Sequence, residues 1–297
     1  TEDTLNNKPK ESFAKPDRKL LMTWEQVKVT SDYEPDPKMK TIIDDYWKEL
    51  ETQLNQVAGV TGEDLEARFD RIRTQETNIW DFVSDVVKFT LKPDIVLMNS
   101  GSFRADQVFP KGILKWKDID TLFPIIDELV TIKVKGENLL AALENGVSEV
   151  PKFDGRFPAL SGVRIKYDSS KPPMERILEA EVNGQPLDKE KYYTWVTKLF
   201  FHKGKDGYDA LCVSECISDE HNDVSVNTAI LNFLRLMTRK NKFWFSKKRH
   251  QVEEALKLSN NTEHDYITKD DEGNKLDYMF YRFYPTTDGR ITDVNAS

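Results

Sequence analysis

Four strings of residues carry the groups that could do chemistry. In chain order they are Arg71-Ile72-Arg73-Thr74-Gln75-Glu76-Thr77-Asn78, Asn99-Ser100-Gly101-Ser102-Phe103-Arg104-Ala105-Asp106, Gly155-Arg156-Phe157-Pro158 and Gly204-Lys205-Asp206-Gly207-Tyr208-Asp209. Arginine offers a planar fork of donors that suits an anion, and asparagine can serve a hydroxyl or a phosphate oxygen. Arg73 either holds an anion or pairs with nearby acids. Arg104 follows small residues that let a backbone approach a ligand closely. Asn99 reads as a strand-end cap or a ligand contact, and Asp206, taken alone, as an ordinary turn residue. Metal chemistry is poorly supplied. Cys212 and Cys216 form a C-x3-C pair, a poor zinc site by itself. His221, in Glu220-His221-Asn222-Asp223, reads as a helix start. His264 reads as surface and His202 as a local hydrogen-bonder.

These groups need elements to position them. Residues 94–98 are a short apolar run that predicts a buried strand feeding the loop at Asn99. Ahead of it Ile79, Phe82, Val83, Val86 and Val87 recur at helical spacing after Thr77, and Pro93 closes that helix. Residues 128–134, 163–167 and 192–197 read as strands, the last rich in β-favouring types. Leu139, Leu140, Leu143 and Val147 stripe a helix, as do Val226, Ile230, Phe233, Leu234 and Met237. Asn183-Gly184 predicts a hairpin turn. Upstream, residues 20–29 read as a short strand, and Asp36-Pro37 opens a helix with Ile42, Ile43, Tyr46, Trp47 and Leu50 at helical spacing. Strands alternating with helices predict an α/β (α+β) domain over residues 36–240, its mixed sheets covered by helices. Residues 1–35 read as a linker or arm. Residues 241–297 read as an extension that packs on the domain through the aromatic run 278–284. The basic, aromatic stretch 239–249 reads as a solvated helix end whose aromatics pack on the domain, or as a contact for an acidic protein partner or a membrane surface.

Composition narrows the classes. The 297 residues fit one large domain or two small ones, and 38% hydrophobic residues support a packed core. A net charge of −8 argues against a dedicated nucleic-acid binder. No apolar run approaches the ~18 residues of a membrane span. Two cysteines cannot form a disulfide framework and fit a reducing compartment, without fixing a location.

The four strings in this order resemble the C-terminal, substrate-binding domain of the 5′-nucleotidase family, over about residues 60–240. The resemblance implies a four-layer α/β arrangement. It also implies a division of labour. An N-terminal metallophosphoesterase domain in cis holds two divalent metal ions that activate water, and the C-terminal domain presents a nucleotide to them. Its catalytic Asp-x-His and Asn-His-Asp motifs are not among these residues, so the chain alone is expected to be inactive and to bind no cofactor. Carried over residue by residue, Arg73, Asn99 and Arg104 match phosphate- and sugar-side contacts, Asp206 the carboxylate that accepts from ribose hydroxyls, and Phe200 one of two aromatics that clamp the base. The second clamp position falls on Ile125, with Phe123 two residues away as a substitute ring. The alternative is a non-catalytic scaffold or assembly component derived from this domain.

Overall fold

The computed structural model describes residues 24–125, 128–218, 224–239, 245–258 and 265–295, without the side chains of 239 and 245–249. Residues 1–23 of the arm, His221, His264 and the side chains of the basic stretch 239–249 lie outside this set.

The chain forms two compact units, Thr1–Glu49 and Leu50–Ser297. In the first, residues 24–30 form no strand, contrary to expectation, and Trp24, Val27 and Val29 are exposed. A strand needs a neighbour to take its backbone donors, and among the described residues these have none. Helix α1 (Pro37–Leu54) begins where Asp36 caps it, its carboxylate accepting from the N–H groups of Lys38 and Met39 at 2.9 and 3.0 Å. The expected stripe Ile42, Ile43, Tyr46 and Trp47 is there, yet no residue of α1 is buried.

The second unit is built on a central sheet ordered β12-β6-β11-β3-β7. Its strands are β3 (Ile95–Asn99), β6 (Leu129–Lys135), β7 (Pro158–Ser161), β11 (Tyr192–Lys198) and β12 (Glu215–Cys216). Side chains alternate across a strand. Val96, Met98, Ala159 and Val196 join a core with α3 (Asn78–Leu91) and α7 (Val226–Leu236). Ile95, Leu97, Leu160 and Trp195 join another with α5 (Gly136–Val147), β8 (Val163–Tyr167) and β9 (Ile177–Val182). A sheet buried on both faces explains why residues 94–98 read as an unbroken apolar run.

Two outer sheets complete the fold. One is ordered β10-β9-β8-β16, with β10 (Gln185–Pro186) joined to β9 through the Asn183-Gly184 turn and β16 (Ile291–Asp293) parallel to β8. The other is β13-β15-β1-β5, with β14 on β15; these are β1 (Val57–Thr61), β5 (Gly112–Lys115), β13 (Thr238–Arg239), β14 (Tyr266–Lys269) and β15 (Lys275–Phe283). A ribbon of β2 (Leu65–Glu66) and β4 (Val108–Phe109) lies beside them. The sequence divides the chain at residue 240. In the structure, β15 pairs in parallel with β1 and β16 with β8, so part of the 241–297 extension is sheet rather than covering, and the compact unit runs to Ser297.

The loop before β16 is tied to the start of α3. Glu76 accepts from the backbone N–H groups of Asp288, Gly289 and Ile291 at 2.8 to 2.9 Å. The buried Arg290 forks onto Asp85 at 2.8 and 3.0 Å, binds Asp288 at 3.0 Å and reaches Asp81 at 3.5 Å. Burial, reinforced by Glu76 and opposed by Arg290, pushes the Asp81 carboxyl up to about 9.

Candidate functional site

β3 and β11 run parallel, with Trp195 opposite Ile95 and Val196 opposite Val96. Their carboxyl ends, Asn99 and Lys198, therefore share one edge of the central sheet, the side on which parallel sheets place ligands. β7 enters that edge with Pro158 opposite Asn99, and β6 enters it with Leu129 opposite Lys198. Residues 100–107, 153–157 and 199–209 gather there, as does Ile125 on the approach to β6.

The loop after β3 is anchored by Phe103. Its ring is fully buried, 3.9 Å from Trp80 and 4.5 Å from Phe123, edge-on to both. Phe123 is thus committed to the core at 4% exposure, and the idea that it replaces the missing clamp ring is corrected. The loop also lies hard against the 155–157 segment. The Gly101 N–H donates to the Gly155 carbonyl at 2.9 Å, and a Cβ on Gly155 would stand 3.2 Å from the Gly101 Cα.

The turn at 204–207 holds Gly204, Asp206 and Gly207 at φ of 72°, 55° and 76°. Asp206 is among the few non-glycine types that tolerate this region. Its carbonyl accepts from Asn145 Nδ2 at 2.9 Å, and its Oδ2 accepts from Asn99 Nδ2 at 3.1 Å. Asn99 Oδ1 accepts from Ser102 Oγ at 3.0 Å and from Lys198 Nζ at 3.0 Å. Lys198 also donates to Ser102 Oγ at 2.7 Å. Asn145 Oδ1 in turn accepts from Arg156, whose Nε binds Asp154 at 3.0 Å.

Arg73 caps the short α2 (Phe69–Ile72), which docks on the loop through the Phe69 N–H and Asp106 at 2.8 Å. Its guanidinium lies 4.1 Å from the centre of the Phe69 ring, and Nη1 donates to the Phe153 carbonyl at 3.0 Å. Nε is buried and has no partner among the described residues. Burial and then the like charge of Arg104 pull the Arg73 pKa below its ordinary value, against the pull of Asp106 and Asp154. The positive charge of Arg104 thus reaches Arg73. Arg104 is exposed.

Phe200, in α6 (Leu199–His202), is 40% exposed, whereas the adjacent Phe201 is fully buried and stacked 3.8 Å from Tyr208. Ile125 is 44% exposed. Phe200 follows the end of β11 and Ile125 precedes the start of β6, so the register puts both at the same edge. The sequence singles out Arg73, Asn99, Arg104, Asp206, Phe200 and Ile125, and the fold brings all six to this edge. It does not single out Lys198 or Asn145. Both are buried polar groups at the end of an apolar strand or inside an apolar helix stripe, and that interruption was the available signal.

Among the described residues, one acidic group has ligand types and spacing for a cation, Glu76, Asp81 and Asp288. The Arg290 guanidinium and three backbone N–H groups already fill it, so it does not fit a dinuclear metal centre.

Comparison with known proteins agrees with this layout. The chain is 28% identical over 184 residues to the trifunctional nucleotide phosphoesterase protein YfkN of Bacillus subtilis, covering 59% of this chain and 12% of that protein. It is 23% identical over 218 residues to the 5′-nucleotidase of Bos taurus, covering 67% of this chain and 38% of that protein. The chain thus spans well under half of these curated relatives. The solved structure of a 5′-nucleotidase precursor from Thermus thermophilus superposes with a TM-score of 0.65 at 23% identity, over 87% of this chain and 43% of that one, and shares its fold. A family described as "5′-nucleotidase, C-terminal domain" matches residues 56–212, over half of the 297, and to that family the chain belongs.

Proposed function

We propose that this chain binds a nucleoside 5′-monophosphate, as the substrate-binding part of a 5′-nucleotidase-type phosphoesterase. One observation carries the reading. Arg73 is half-buried against the Phe69 ring with its Nε unmet among the described residues and the charge of Arg104 acting on it, and an orphaned cationic donor in such a place calls for an anion. In this reading Arg73 and Arg104 take the phosphate, and Asp206, steadied by Asn99, accepts from the ribose hydroxyls. Phe200 and Ile125 cover the two faces of the base. Isoleucine covers by burial alone, so the base is gripped less firmly than between two rings.

Hydrolysis in this reading belongs to a metallophosphoesterase domain in cis, which would hold the two divalent metal ions. The residues described here do not fit such ions, and the chain's own part is to bind and orient. The chain alone is expected to release no phosphate from AMP at a useful rate. Calorimetry with AMP tests the binding claim. Sub-millimolar affinity is expected, and Arg104→Ala and Asp206→Ala should each weaken it about tenfold, the scale of one charge-assisted hydrogen bond. Absence of binding at millimolar AMP rejects it. The exposed Ile125 in place of a ring favours, in that event, the scaffold reading. A stable protein partner in place of nucleotide affinity would establish it.

A further inference from the structure

Lys198 is used by none of the ligand contacts assigned above, yet it stands where they meet. The residue is 4% exposed, and its ammonium lies 3.0 Å from Asn99 Oδ1, 2.7 Å from Ser102 Oγ and 5.5 Å from the centre of the Phe200 ring. Asn99 and Ser102 are also buried, so these bonds act in a low dielectric.

A side-chain amide has two ends, and which end faces Asp206 decides the character of the site. With its oxygen turned to Asp206, Asn99 would set two acceptors against each other. The opposite end decides the matter. An ammonium can only donate, so Lys198 fixes the amide oxygen on its own side. The Ser102 hydroxyl, which accepts from Lys198, also donates to Asn99 Oδ1 at 3.0 Å. The amide NH2 must then face Asp206 Oδ2, at 3.1 Å. A positive charge behind the amide polarises it and makes Nδ2 the better donor. The carboxylate is thereby held through Oδ2, with Oδ1 left for a ligand.

We propose that Lys198 is a positioning residue that orients the Asp206 carboxylate through Asn99, and so makes the site selective for ligands carrying vicinal ribose hydroxyls. The inference rests on the nucleotide reading above and adds a discrimination to it.

The test compares the affinities of AMP and 2′,3′-dideoxy-AMP. The wild-type chain should prefer AMP by about tenfold, since a carboxylate that reads hydroxyls loses charge-assisted bonds to the dideoxy ligand. Lys198→Met should reduce that preference to about twofold or less, through loss of AMP affinity with the dideoxy affinity nearly unchanged. Lys198→Gln, which keeps a donor, should restore most of the preference. Arg104→Ala should weaken both ligands alike, as expected of a phosphate contact. A folded Lys198→Met protein that keeps the wild-type ratio overturns the proposal, and so does a wild-type chain that binds both ligands equally; the first leaves the nucleotide reading whole, and the second leaves its phosphate contacts standing but removes the ribose contact of Asp206. A wild-type chain that binds neither ligand defeats that reading itself. Should Lys198→Met not fold, Asn99→Leu removes the amide through which Lys198 acts and must lower the ratio for the proposal to stand.

Discussion

Arg73 and Asp81 show the two ways a buried charge can be treated. Arg73 keeps its charge against that of Arg104 with a donor unmet among the described residues, which is costly without an anion. Arg73→Ala should therefore weaken AMP binding while leaving the melting temperature unchanged or raised, a combination that a purely structural arginine would not give. Asp81 instead keeps its proton. Its folded pKa is pushed up to about 9 from an ordinary 3.8, so the unfolded chain gives up that proton first. The stability tied to this proton is complete below about pH 4, declines as pH rises, and is gone above about pH 9, at a rate of at most about 1.4 kcal/mol per pH unit. Asp81→Asn mimics the neutral acid, so melting temperatures at pH 5 and pH 8 should differ less in the variant than in the wild type. Equal slopes would mean that Asp81 is ionised in the folded protein. Asn99, Arg104 and Asp206 were legible because their types and neighbours are unusual together. Lys198 left only a weak signal, a polar residue closing an apolar strand, and it is the structure that shows it buried.

At the scale of elements, the periodic segments were legible and the lone ones were not. α3, α5 and α7 follow their apolar stripes, and β3 follows from an unbroken run, because each buries what its pattern offers. Residues 24–30 have strand-like composition and no partner strand among the described residues, which composition cannot reveal. The stripe of α1 predicts a helix correctly but not its burial, since spacing sets the face and only a neighbour can cover it. Turns carry their own constraint. At Gly207, φ is 76° and a Cβ would stand 2.7 Å from Asn145 Oδ1. Gly207→Ala should cost about 1–3 kcal/mol of stability and weaken nucleotide binding by displacing Asp206. Chemical denaturation and calorimetry on the same variant measure the two effects.

For the whole molecule, the boundary at residue 240 was drawn where the composition turns basic and polar. The sheets take no account of it, because β15 and β16 supply backbone partners to strands made far earlier in the chain. A chain truncated after residue 240 leaves β1 and β8 short of a partner each and removes the Arg290 fork from Asp85. It should lose its cooperative thermal transition by circular dichroism, whereas truncation before Trp24 should leave the transition of the second unit in place.

The parallel pairing of Val60 with Arg282 and of Ile165 with Ile291 also fixes when this protein can mature. A ribosome delivers β15 and β16 long after their partners β1 and β8, and until these later strands emerge both outer sheets present open edges. Contacts of such long sequence separation form slowly as well. Protection by chaperones, or a pause before these later strands emerge, would thus matter more to the yield of this chain than to that of one whose sheets close from neighbouring strands.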